Sequence, residues 1–156
     1  SNSNCFPLQN MHNFLIDLIY PSLGKNPFLI NNKNRKFVLQ ALSAKPGECS
    51  IQKIKNDTTF YDNYTNYLFY GSENKGPGNN YLKIYNIVGQ SYGFLSDVAY
   101  FQDTETEIEF FLSAVIYANS SEIVGNNGYE YDTIGFPFLR DLGKIVYNYE
   151  LKHQLN

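Results

Sequence analysis

Tyr81 to Asn119 reads YLKIYNIVGQSYGFLSDVAYFQDTETEIEFFLSAVIYAN. Three β-branched and aromatic runs are separated by two breaks, one from Gly89 to Gly93 and one at Gln102-Asp103-Thr104-Glu105-Thr106. Short polar or glycine-containing breaks between such runs are hairpin punctuation, so the stretch predicts a three-strand antiparallel meander. In the third run Ile108, Phe110, Leu112, Ala114 and Ile116 point one way, and Phe111, Val115 and Tyr117 the other. A strand apolar on both faces is normally central and covered on each side. The cover has to come from helices before and after the meander.

Those helices are legible to different degrees. From Gln9 to Tyr20, Met11, Phe14, Leu15, Leu18 and Ile19 recur at helical spacing on one face, with Pro21 closing the segment. A shorter helix is predicted from Lys33 to Leu42, and Ala44 to Asp57 reads as loop. Thr59 and Asp62 resemble a capping box opening a helix that carries Phe60, Tyr64, Tyr67 and Leu68 and stops at Gly71. Gly76-Pro77-Gly78 is a turn without the Lys-Ser/Thr of a phosphate loop. The last helix is predicted from Pro137 to about Leu155, burying Phe138, Leu142, Ile145, Val146 and Tyr149. Helices, meander and long helix in that order give an α+β fold, read as one domain over residues 1–156.

Composition narrows the function. At 156 residues the chain suits one domain with a real core. A net charge of −3 gives no basic footprint, so nucleic acid is not an expected partner. No apolar run reaches the roughly 18 residues of a membrane span, and no signal peptide opens the chain, so residue 1 reads as a processed or truncated end. The 14 tyrosines and 12 phenylalanines fit sheet and core packing better than a carbohydrate-binding surface. Cys5 and Cys49 leave a disulfide and free thiols equally open. With His12 and His153 they form no closely spaced ligand set, so neither a metal nor a cofactor is expected. Asn56, Asn63 and Asn119 begin glycosylation-acceptor triplets of the kind an Asn-rich chain contains by chance.

The meander carries a resemblance. Asn86 to Tyr100, NIVGQSYGFLSDVAY, is similar to the Asn-Lys-Val-Gly-x-Ala-Tyr-Gly-Phe-Leu-x-Asp-x-Ala-Tyr run of secreted bacterial serine hydrolases in the class A β-lactamase-like, penicillin-recognising family. Glu109 to Asn119 resembles the strand that follows, and Tyr129 to Phe138 the entry to the terminal helix. Phe6 to Asn10 and its helix resemble the helix beyond the Ω loop. Together these cover about residues 6 to 152. The resemblance implies the C-terminal part of a fold in which an antiparallel sheet packs on a helical domain. It also implies acyl transfer, by a Ser-x-x-Lys serine that opens a β-lactam or peptide-like amide. A periplasmic or secreted location follows from it too.

On that alignment the nucleophile, the Ser-x-Asn element and the Ω-loop Glu all precede Gln9 and are absent here. The family's Lys-Thr-Gly strand falls at Ile87, Val88 and Gly89: Val88 and Gly89 hold substrate-binding positions, and Ile87 replaces the Lys. Losing such a charged donor costs about 2–4 kcal/mol of transition-state stabilisation. Lys83, four residues back, lies about 13 Å away. The oxyanion-hole backbone N–H falls on Gln90, a role that survives side-chain change. Ser22-Leu23-Gly24-Lys25 spells Ser-x-x-Lys in the wrong place, Glu48 reads as a solvated loop carboxylate, and Asp97 and Asp132 are candidates for a carboxylate pair. The reading is a serine-hydrolase C-terminal portion that is inactive alone, its partner being the missing N-terminal half. The alternative is a non-catalytic binding or structural remnant. Without that half, one strand edge and an aromatic-rich face are expected to be exposed, with self-association as the consequence.

Overall fold

The structure is a computed structural model that describes residues 6–23, 30–49, 51–55, 57, 59–72, 78–125 and 128–154. Its centre is the meander: β1 (Leu82–Ser91), β2 (Phe94–Asp103) and β3 (Glu109–Tyr117), antiparallel and in the order β1-β2-β3. The first break is tighter than the glycines suggest. Gly89 stays in β1, paired with Ser96, and the turn is the two-residue Tyr92-Gly93 with φ of 50° and 87°. Two consecutive positive φ angles match the twist of a two-residue hairpin, and at Gly93 a side chain would strike Asn119 and Tyr117.

β2 is the central strand, and β3 is an edge. Residues paired across an antiparallel ladder share a face, so the register fixes both faces. Leu82, Ile84, Leu95, Ala99, Phe101, Phe110 and Ala114 form the larger core, against Tyr67, Leu68, Phe136 and Leu139. Val98 and Tyr100 form the smaller one, against Leu15 of α1 (Leu8–Ile19). α1 covers only part of its face. Near the hairpin Phe94, Val115 and Tyr117 stay exposed on that side, with Tyr92 beside them at 63% exposure. The exposed aromatic face expected from the sequence is therefore present, and β3, read as covered on both sides, has one side partly open.

The α1 side is held by polar contacts as well. α2 (Asn32–Ser43) begins where the Asn31 side chain accepts from the Asn34 N–H. Its Arg35 donates to the Leu18 and Ile19 carbonyls, both at 2.6 Å, occupying acceptors left free at the end of α1. The Tyr20 hydroxyl donates to Glu109 at 2.5 Å and meets the Tyr100 hydroxyl at 3.1 Å. No helix in the described residues is long and apolar enough to cross a membrane.

The predicted helix from Thr59 to Leu68 does not form. Turns lead into a single helical turn, preceded by the short α3 (Gln52–Lys55), and this turn, α4, is Tyr67–Tyr70. Within it Phe69 has φ 95°, a conformation rare for a bulky residue. α5 (Phe136–Gln154) follows a π turn at Tyr131–Gly135 and buries Phe136, Leu139 and Gly143. Phe138, Ile145 and Tyr149, predicted to be inside, are 45%, 67% and 56% exposed. The reason is Gly143: an added Cβ would lie 2.6 Å from the Phe69 backbone nitrogen, so the helix turns its glycine, not its bulkiest stripe, toward α4. Asp103 locks the far end. It accepts from the Glu105 and Thr106 amides and, at 2.5 Å, from the Tyr147 hydroxyl of α5. Gly143→Ala is expected to cost about 1–3 kcal/mol in guanidinium unfolding. Gly47→Ala, with nothing within 4 Å, should stay within about 0.5 kcal/mol of the parent.

Candidate functional site

The residues singled out by sequence, Ile87 to Gln90, lie on the outer half of β1, whose far side has no strand neighbour in the described sheet. Their orientation follows from the ladder. The two-residue turn makes Ser91 and Phe94 a hydrogen-bonded pair, and narrow and wide pairs alternate from there. The same parity reappears at the other end, where the Thr104 N–H donates to the Tyr81 carbonyl at 2.9 Å. Gln90 and Val88 therefore point their N–H and C=O groups outward, to the open edge. Ile87 and Gly89 bond inward to β2.

The side chains sort differently. Ile87, paired with Val98, is half-buried on the α1 side, and Val88, paired with Asp97, packs against the larger core. Gln90 is exposed. At Gly89 an added Cβ would come within 2.8 Å of Ser96 Oγ, so the glycine serves close cross-strand approach.

Behind this strand lies a polar centre. Asp97, one of the two candidates for a carboxylate pair, is in the middle of β2 and fully buried. One carboxylate oxygen accepts from the Leu68 N–H at 2.9 Å and the other from Asn86 Nδ2 at 3.0 Å. Asn86, itself buried, gives a second hydrogen bond to the Thr65 carbonyl at 2.7 Å. Burial pushes the Asp97 carboxyl up to about 7, with the hydrogen bonds opposing it. Asp132 sits exposed in the π turn. No hydrogen bond among the described residues joins it to the buried Asp97.

Other candidates resolve similarly. Ser22 is exposed beyond α1, and Lys25 lies outside the described residues, as does Cys5. Glu48 accepts from the Lys45 N–H at 3.1 Å, closing its own turn at Pro46–Glu48. Cys49 is a half-buried free thiol. Asn63 and Asn119 are 3% and 5% exposed, too enclosed to accept a glycan, and Asn56 lies outside the described residues. Among the described residues no group of His, Cys, Asp and Glu could hold a metal.

One pair escaped the sequence reading. His12 Nδ1 of α1 lies 2.6 Å from Ser113 Oγ of β3, with the imidazole edge-on to Phe111. The two residues are 101 positions apart, and no local pattern links them. A hydroxyl beside an imidazole is half of a nucleophilic device. Here the serine sits mid-strand, and no described carboxylate hydrogen-bonds the ring to orient it. The pair fastens α1 to the sheet edge.

No family model, curated protein or solved structure matches the chain. The geometry itself is an open strand edge presenting backbone donors, backed by a buried carboxylate and lacking a lysine.

Asp97 gives a pH signature. Its carboxyl is raised above the usual value of 3.8, so its stabilising contribution is fully present below about pH 4 and is lost as pH rises through about 7. Stability should fall by about 1 kcal/mol per pH unit across that window and then level off. Urea unfolding of the parent and of Asp97→Asn at matched pH values checks this, and the difference in slope should disappear in the variant.

Proposed function

We propose that this chain is the C-terminal scaffold of a β-lactamase-like serine hydrolase, unable to form an acyl-enzyme by itself. The carrying observation is the open edge of β1, where the backbone N–H of Gln90 faces outward. That is where the resemblance puts an oxyanion donor, with Val88 and Gly89 as the strand beside the substrate. The three-strand meander backed by a long terminal helix supports the same reading. The acylated serine, its Ser-x-x-Lys lysine, the Ser-x-Asn element and the Ω-loop carboxylate would come from a preceding half of the domain, the proposed partner. A β-lactam or peptide-like amide is the proposed substrate of the completed site. A periplasmic or secreted location belongs to the same proposal.

A second reading, a non-catalytic remnant used for binding, draws on Ile87. An aliphatic side chain, half-buried on the α1 side, stands where the resemblance calls for an ammonium group, so a completed site would be impaired by about 2–4 kcal/mol. Ile87→Lys in a completed enzyme separates the two: a rise in acylation rate supports the first reading, and no change supports the second.

The chain alone should take no covalent label from a fluorescent penicillin or a fluorophosphonate, read by intact mass. Labelling at Ser113, Ser22 or any other serine contradicts the proposal. Light scattering should also show association that grows with concentration, through the exposed aromatic face near Phe94 and Tyr117.

A further inference from the structure

A cleft of about 480 Å³ opens at the opposite end of β1 from Ile87–Gln90, between the C-terminal end of α2, the Pro46 turn, the turns before α4 and the first residues of β1. Its size is in the range of small-ligand sites, and its lining is unusual. Carboxamide residues line it from three segments: Gln40 from α2, Asn63 and Asn66 from the turns, and Asn79 and Asn80 ahead of β1. Ser43 and Thr65 add hydroxyls. Each of these groups can both donate and accept.

The charges lining the cleft cancel. Lys45 Nζ lies 3.7 Å from Asp62 Oδ2, and the Glu48 carboxylate is engaged by the Lys45 backbone N–H. Lys83 stands over the Tyr85 ring, 4.9 Å from its centroid. A cleft with balanced charge favours neither an anion nor a cation. Leu42 contributes apolar surface, while the Leu82 and Ile84 side chains on the cleft floor lie in the larger core. By the ladder parity, the backbone N–H and C=O of Leu82 and Ile84 face the open edge here.

The lining is also built rather than incidental. Asn63 is 3% exposed and lies so close to Gly78 that a Cβ there would be 2.5 Å from Asn63 Oδ1. The Tyr70 hydroxyl accepts from the Asn79 N–H at 3.2 Å, fixing the segment that carries Asn79 and Asn80.

We infer that this cleft binds a neutral, hydroxyl-rich ligand, a saccharide of one or two rings. Groups that donate and accept at once match ring hydroxyls, which do the same, and Leu42 suits the C–H face of a sugar ring. A peptide strand is the poorer fit, because only Leu82 and Ile84 offer free edge backbone within the cleft. The inference does not depend on the acyl-transfer reading, since it uses neither Ile87–Gln90 nor a nucleophile.

The test is a titration of the ¹⁵N-labelled chain with cellobiose, maltose and N,N′-diacetylchitobiose, and in parallel with tetra-alanine and inorganic phosphate, followed by amide chemical shifts. At least one disaccharide should give saturable shifts at millimolar concentration, confined to the side-chain amides of Gln40, Asn66, Asn79 and Asn80 and the backbone of Leu82 and Ile84. Gln40→Leu and Asn80→Leu replace exposed residues, should keep the parent spectrum, and should each weaken binding about tenfold. Three results would overturn the inference: no saturable shift with any sugar, sugar binding that both variants leave unchanged, or tighter binding of tetra-alanine or phosphate in the cleft.

Discussion

A single carboxylate with no exposure to water holds the layers of this protein together. Asp97 stands at the middle of the central strand, and its two oxygens accept from the Leu68 N–H of α4 and from Asn86 on β1. A buried carboxyl group is costly unless its hydrogen-bonding capacity is filled, so the Leu68 backbone is committed to one position above the sheet. Phe69 then takes a positive φ, and its backbone meets Gly143, where α5 can approach because no side chain intervenes. Strand, turn and terminal helix are thus fixed in sequence by one polar contact and one missing methyl group. Asp103 repeats the device at the other end of β2, joining the β2–β3 turn to Tyr147 of α5.

That arrangement has a functional consequence. With α4 and α5 on one face and α1 on part of the other, the sheet is held firmly while the outer edge of β1 stays free of strand neighbours. A rigid strand with outward amides at Val88 and Gln90 is the kind of element on which an acyl-transfer site is assembled. On the proposed reading, the ammonium group expected at Ile87 and the serine opposite would have to be supplied for that chemistry. The amide-lined cleft at the other end of the same strand is a separate surface with balanced charge.

The strands were legible because three β-branched and aromatic runs are punctuated by two short polar or glycine-containing breaks, and the register carries no bulge. The helices α1 and α2 were legible from spacing and caps. What failed did so through tertiary contacts that leave no local signature. The segment from Thr59 to Gly71 has the apolar spacing of a helix, yet only Tyr67–Tyr70 makes a turn, with the Leu68 amide taken by Asp97, 29 residues away. α5 has two apolar stripes, and only the clearance at Gly143 selects Leu139 over Ile145 for the core. At the candidate site the outward direction of Gln90 depends on locating the turn at Tyr92-Gly93 rather than Gly89. The His12–Ser113 contact is set entirely by how α1 crosses β3.

Native-state hydrogen exchange at the Leu68 amide is the most direct measure of the claim that Asp97 organises the fold. The N–H donates to Asp97 from a turn only four residues long, where an isolated segment would exchange freely. The account predicts that this amide exchanges only on global unfolding, with the same opening free energy as the Phe101 and Leu139 amides. Exchange at the rate of an exposed loop, with the β2 amides still protected, would contradict it.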